Sequence, residues 1–258
     1  MILPQLKNGT EGVIESFLAE RMKTAGSKGY VLGMSGGIDS AVVMRLCARA
    51  VGKENVFGVL MPTRDSMKED LADGKMLCEL EGVEHKVVDI THPVESFEKA
   101  VGGKAERISL ANIKARCRMI VLYYFANVQG RLVAGTSNKS EMLMGYFTKY
   151  GDGGADLEPI GGLFKTQVRQ LARKLGIPEG IILKAPSAGL WKGQTDEGEL
   201  GITYDRLDSI LLAMELGLGV KEIAARAETT VEEVDRIANV IKSTAHKRET
   251  PPGPKISH

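Results

Sequence analysis

Residues 29–40 read Gly29-Tyr30-Val31-Leu32-Gly33-Met34-Ser35-Gly36-Gly37-Ile38-Asp39-Ser40, and this stretch decides the fold. Residues 30–34 form an apolar run of strand length. A loop over 35–40 follows, and an amphipathic helix opens out of it. A strand that turns through adjacent glycines into a helix builds an anion site. Gly36 and Gly37 let backbone N–H groups approach a phosphate closely, the Ser35 and Ser40 hydroxyls add donors, and the helix N-terminus directs its positive end at the same point. The loop has neither the Gly-x-x-x-x-Gly-Lys-[Ser/Thr] spacing of a P-loop nor the Gly-x-Gly-x-x-Gly of a dinucleotide turn. A ligand-free turn is the alternative, but the strand–loop–helix context favours phosphate.

The pattern extends outward from this loop. An amphipathic helix over 10–27 precedes the first strand. After it come a helix over 40–51, a strand over 56–61 stopped by Pro62, a charged helix over 65–81 and a strand over 84–89. A short helix over 94–101, a strong helix over 109–127, a strand over 131–134 and a helical turn over 136–144 complete this half. Strands alternating with helices predict an α/β fold: a Rossmann-like open parallel sheet of about five strands with helices on both faces. From residue 145 the pattern changes. A Gly-rich loop over 151–163 leads to a helix over 165–175 closed by Gly176 and Pro178. A polar loop over 186–203 surrounds the single tryptophan, Trp191. Helices over 203–215, 219–227 and 230–243 form a helical C-terminal extension expected to pack on the sheet, with Thr230 and Glu233 as a capping box. Residues 1–258 read as one domain.

Composition narrows the class. The chain has 258 residues, 43% hydrophobic and 26% charged, with a net charge of +1. Neither a nucleic-acid partner nor a membrane partner is expected from that balance. No apolar run reaches the ~20 residues of a membrane span, and the N-terminus lacks the pattern of a signal peptide. The three cysteines, Cys47, Cys78 and Cys117, lie in helical patterns and read as thiols of a reducing cytoplasm. The four histidines show no metal-ligand spacing.

In an open parallel sheet, ligands bind at the carboxyl ends of the strands near the switch point. The loop after strand one lies there, and Gly135-Thr136-Ser137-Asn138-Lys139-Ser140-Glu141 should lie beside it. Asp39 and Glu141 are then a candidate magnesium pair, because Mg2+ takes few protein oxygens and leaves the rest to phosphates and water. The plainer reading makes Glu141 a solvated residue in the first turn of a helix.

The loop over 35–40 resembles the pyrophosphate loop of the ATP pyrophosphatases. Phe147-Thr148-Lys149-Tyr150-Gly151-Asp152-Gly153, Pro186-Ser187-Ala188 and His246-Lys247-Arg248 narrow the choice. Together these segments are similar to ammonia-dependent NAD synthetase over nearly the whole chain. That resemblance implies an ATP-dependent amidation of deamido-NAD through an acyl-adenylate, giving NAD, AMP and pyrophosphate, with ATP as co-substrate and Mg2+ as cofactor. It implies that Gly33, Met34, Ser35, Gly36, Gly37, Ile38, Asp39 and Ser40, with Thr136, Lys165 and Ser187, hold ATP. It assigns Asp39 and Glu141 to magnesium, and Arg116, Lys149, Asp156, His246 and Lys247 to deamido-NAD. It also implies a homodimer, with the helices over 10–27 and 109–127 as candidate contact surfaces.

The chain departs from the family pattern at Ser187, where threonine is usual, and at Gly189, where aspartate is common. Free ammonia is the expected amine donor, since the first strand begins near residue 30 and leaves no room before it for a glutaminase domain. The loop over 190–201 has the composition of a lid. Two other functions fit the first loop alone. One is a tRNA-thiolating or GMP-forming pyrophosphatase; thiolation usually wants a reactive cysteine and a basic RNA-binding face, and neither is evident here. A regulator that senses ATP would have no use for charged groups around a leaving pyrophosphate.

Overall fold

The computed structural model describes residues 1–258 apart from Lys104, Ala105, Ala188, Leu190, Lys192, Lys255, Ser257 and His258. In its first half, α1 (Thr10–Thr24) leads to β1 (Tyr30–Gly33), α2 (Ile38–Val51), β2 (Val56–Leu60), α3 (Lys68–Glu81), β3 (Glu84–Val87), α4 (Thr91–Val101), α5 (Arg107–Gln129) and β4 (Leu132–Val133). There follow α6 (Lys139–Met144), α7 (Lys165–Leu175), α8 (Glu179–Ile182), α9 (Asp196–Leu200), α10 (Tyr204–Glu215), α11 (Val220–Arg226) and α12 (Val231–Ser243).

The strands are all parallel and lie in the order β3-β2-β1-β4. Four strands stand among the described residues where about five were expected. Beyond β4 the chain adds only a single parallel bridge, Ala134 to Leu157, because the Gly-rich stretch after residue 150 turns too soon to extend it. The chain steps from β1 to β2 to β3 and then crosses back to β4 on the other side of β1. The loops after β1 and β4 therefore open side by side at the carboxyl edge.

Alternation along the strands divides the core. Tyr30 and Leu32 face α1, α2, α3 and α7 with Leu18, Val42, Leu46, Leu77 and Leu171. Val31, Phe57, Val59 and Val133 face α4 and α5 with Ile90, Val94 and Ala126. Each fully buried aliphatic side chain of this kind contributes ~1.5–3 kcal/mol. Tyr30 also donates its buried hydroxyl to Leu18 O at 2.6 Å, which fixes α1 on the sheet.

Three expectations change. The C-terminal helices do not pack on the sheet. Tyr204, Leu207, Ile210, Leu211, Ile223, Val234 and Ile237 build a core of their own, to which Met144 of α6 and Phe164 before α7 contribute. The capping box at α12 is half formed: Thr230 Oγ1 accepts from Glu233 N at 3.2 Å, but the Glu233 carboxylate turns to Arg236. Helix α4 begins three residues earlier than expected, at Thr91, because Pro93 sits in its first turn, where no backbone N–H is needed. The stop at Gly176 holds, with φ of 74°. Cys47 and Cys78 are buried and Cys117 half-buried, all as free thiols; burial pushes Cys78 up to about 12. No helix among the described residues is long and apolar enough to cross a membrane.

Candidate active site

A cavity of about 540 Å³ opens at the carboxyl edge of the sheet. Its floor is the loop between β1 and α2. Gly36 adopts φ of +77°, and a Cβ there would stand 2.3 Å from Asp70 O of α3. Helix α3 reaches the loop because Gly74 lets it close on Leu60 and Met34. Gly37 is the N-cap of α2 and no side chain caps the helix. Gly33, Met34, Ser35, Gly37, Ile38 and Asp39 all line the cavity. Ser40 does not. It is buried, its hydroxyl donates to Gly37 O at 3.0 Å and shares a hydrogen bond with Ser35 Oγ, so it braces the loop from beneath.

Three elements converge above this loop. Lys165, the first residue of α7, is 1% exposed. Its ammonium lies 2.5 Å from Asp39 Oδ2 and 3.1 Å from Glu141 Oε1. Glu141 has two tasks. Oε2 accepts from Asn138 N, completing a capping box at the start of α6, while Oε1 faces Lys165. Fully buried Asn138 also donates Nδ2 to Asp39 Oδ1 at 3.1 Å, so one side chain locks α2 to α6. The single Tyr204 hydroxyl proton lies between two acceptors, Glu141 Oε1 at 3.3 Å and Asp196 Oδ2 at 3.1 Å. Burial, with Asp39 beside it, pushes the Glu141 carboxyl up to about 7 against the pull of Lys165. Burial alone would lower Lys165, but Asp39, Glu141 and Asp196 outweigh it and hold the ammonium protonated.

Asp39 and Glu141 thus present hard oxygens to a common point, which suits Mg2+ better than a softer metal. Among the described residues no group of three or more His, Cys, Asp and Glu side chains is arranged to hold a metal. A two-carboxylate set is in keeping with an ion that completes its shell from phosphate and water.

The cavity continues past Thr136 and Glu141 to the segment 145–154. That segment lies against α5 because Gly151 and Gly154 pack on Ala115 and Met119 without a side chain between. Thr148 Oγ1 donates to Asn112 at 2.8 Å to hold it there. Lys149 Nζ donates to His246 O, and Arg116 donates to Lys149 O at 3.3 Å. Lys247 donates to Gly145 O and Phe147 O at 2.7 and 2.8 Å, and Arg248 to Met142 O and Leu143 O. The basic triplet is therefore no frayed end: its cations hold the carbonyl end of α6, where the helix dipole favours them. Lys247 lines the cavity; Arg116, Lys149 and His246 do not. Asp156 lies apart, its carboxylate accepting from Val133 N and Tyr123 Oη at the end of β4. Ser187 lines the far wall and accepts from Gly189 N. The lid expected over 190–201 falls partly on Leu190 and Lys192, outside the described residues. Its second half is a helix, α9, anchored by buried Asp196. Trp191 lies under the Arg107 guanidinium at 4.3 Å.

The family model for NAD synthase matches residues 12–251. The chain belongs to the NAD synthase family. It is 46% identical over 242 residues to the NH(3)-dependent NAD(+) synthetase of Methanococcoides burtonii, covering 93% of this chain and 92% of that one. Among solved structures, an NMN synthetase from Francisella tularensis superposes with a TM-score of 0.86 at 34% identity, covering 96% and 98% of the two chains. The NH3-dependent NAD synthetase from Campylobacter jejuni gives 0.80 at 35% identity, with 95% and 97% covered.

Within this NAD synthase site, sequence reasoning missed Asn138, Asp196 and Glu158. Asn138 stood in the quoted motif but read as a loop residue; its place before a helix was the available signal. Glu158 gave none. Its carboxylate accepts from Ser137 N at 3.0 Å and packs so close to Gly135 that a Cβ there would meet it at 2.2 Å. Burial pushes Glu158 up to about 8, against the pull of the Ser137 amide. The unfolded chain titrates near 4.5, so between these values the folded state holds the extra proton and stability falls as pH rises. Glu158→Gln should therefore match the wild type at pH 5 and exceed it at pH 8.5. The gain should be at most about 1.4 kcal/mol per pH unit crossed, read as thermal midpoints at the two pH values.

Proposed function

We propose that the chain makes NAD from deamido-NAD, ATP and ammonia. The observation that carries this reading is the meeting of Asp39, Glu141 and Lys165, from α2, α6 and α7, over a glycine loop with free helix N–H groups. A carboxylate oxygen of the nicotinate attacks the α-phosphorus of ATP, and the bond to the bridging oxygen breaks, releasing pyrophosphate. Ammonia then attacks the acyl carbon, loses a proton, and AMP leaves. In the first step charge grows on the departing pyrophosphate. The loop amides would meet that charge, and the Lys165 ammonium would join them once Asp39 and Glu141 turn to magnesium. Asp39 and Glu141 would hold magnesium, which supplies further neutralisation of that charge when bound. Gly33, Met34, Thr136 and Ser187 would bound the nucleotide. Arg116, Lys149, Asp156, His246 and Lys247 would contact the anionic dinucleotide.

The NMN synthetase likeness supports a second reading, in which the acceptor is nicotinate mononucleotide. One assay separates them: pyrophosphate and amidated product are measured with ATP, magnesium, either acceptor, and ammonium or glutamine. Product from deamido-NAD and ammonium, well above all other pairs, is expected. Pyrophosphate release that ignores deamido-NAD would overturn the reading; preference for the mononucleotide or for glutamine would redirect it.

The active form is a homodimer built on α5. Its outer face exposes Ile120, Tyr124 and Val128 at helical spacing, each more than 60% exposed, while its inner face covers the sheet and lines the cavity. The other candidate, α1, buries Ile14 and Leu18 in its own core instead. Light scattering should read twice the chain mass, and Ile120→Glu with Tyr124→Glu should halve it.

A further inference from the structure

Two arginines stand two residues apart on α5, at 116 and 118, and a helix of 3.6 residues per turn sets them about 200° apart. Arg116 is exposed and does not line the cavity. Arg118 takes the wall, on the same stripe as Ala111, Ala115 and Leu122, where α5 meets the end of β2 and the segment 148–154. The cationic side chains that line the cavity among the described residues are Arg118, Lys165, Lys184 and Lys247. The lysines are already engaged. Lys165 is held by Asp39 and Glu141, Lys184 by Asp70 and Asp73, and Lys247 by two carbonyls. Arg118 gives only Nε, to Met61 O at 3.2 Å. Among the described residues it makes no ion pair within 4.0 Å, although Asp152 is near enough to favour its charge. A guanidinium carries five N–H donors and stays charged, so its terminal nitrogens remain free to grip an oxyanion bidentately.

We infer that Arg118 binds an oxyanion of the reacting substrates inside the cavity, either the deamido-NAD carboxylate or phosphates or the α-phosphate of ATP. This rests on the amidation reading above. The Met61 bond fixes the guanidinium before substrate arrives, so the cation is preorganised and needs no lysine withdrawn from its carboxylates.

Arg118→Met and Arg118→Lys in the full chain test it, with thermal midpoint and circular dichroism as controls for folding. ATP and deamido-NAD affinities are measured separately by calorimetry, alongside kcat and KM. Arg118→Met should fold and lose about 10- to 100-fold in the affinity for one substrate or in kcat, and Arg118→Lys should recover part of that loss. A loss confined to deamido-NAD assigns the group to the dinucleotide, one confined to ATP assigns it to the triphosphate, and a loss in kcat alone assigns it to the adenylate. A folded Arg118→Met with every constant within twofold of wild type overturns the inference. So does a variant that loses both affinities in step with its thermal midpoint and is not helped by lysine. A wild type that binds both ligands yet forms no NAD would instead sink the functional reading, and the two binding measurements would still report on Arg118.

Discussion

Lys165→Met should abolish turnover and weaken the fold together. The substitution keeps the stem and removes the charge that faces Asp39 and Glu141. Removing one partner of a buried ion pair costs about 3–5 kcal/mol, because the other stays behind without its counter-charge. Here Glu141, already pushed up to about 7, can take a proton and relieve part of that cost, so about 3 kcal/mol is expected. Loss of a cation that would stabilise the departing anion should lower kcat by a further ~10²–10³. Magnesium separates the two effects. If Asp39 and Glu141 are its ligands, added Mg2+ supplies the missing charge and should raise the thermal midpoint of Lys165→Met more than that of the wild type. Equal response of the two proteins would remove those carboxylates from the metal site.

Gly36→Ala should be nearly as damaging for an unrelated reason. Its φ of +77° already disfavours a side chain, and the new Cβ would stand 2.3 Å from a backbone oxygen of α3. A backbone oxygen is not the end of a flexible side chain, so the loop or the start of α3 must move by about 1 Å. Displacement of that size in a reacting site costs ~10² in kcat/KM. Gly37→Ala is the control. Its φ is −96°, and the nearest contact of the added Cβ is the Ser35 hydroxyl at 3.3 Å. It should fold like the wild type, so any activity it loses reports the close approach of a phosphate and not strain. Equal thermal midpoints for the two alanine variants would contradict this account of Gly36.

The loop after β1 was legible because strand, glycines and helix are consecutive, and local sterics suffice to define it. Glu141 was named from its motif and the resemblance, but the capping box with Asn138 that orients it was not read. Legibility failed where a residue's role depends on what another segment brings to it. Thr230 and Glu233 spell a capping box, yet Arg236 on the next turn offers Glu233 a charged partner and wins. Apolar positions in 203–243 mark helices that must be buried but not their partner. They chose one another with α6 and the approach to α7, leaving one sheet face to α1, α2, α3 and α7 and the other to α4 and α5.

By itself, the sequence determined a parallel α/β sheet, a glycine loop after its first strand, and Asp39 and Glu141 in the loops at its carboxyl edge, since each is written in contiguous residues with a fixed period or spacing. Only the tertiary structure decided that Lys165 would cross 126 positions to sit between those carboxylates. It also decided that Arg118, not Arg116, would enter the cavity wall. Helical periodicity puts the two arginines on different faces, but α5 carries apolar residues on both. Which face meets the cavity was settled when α5 packed on the sheet and the segment 148–154 closed over it.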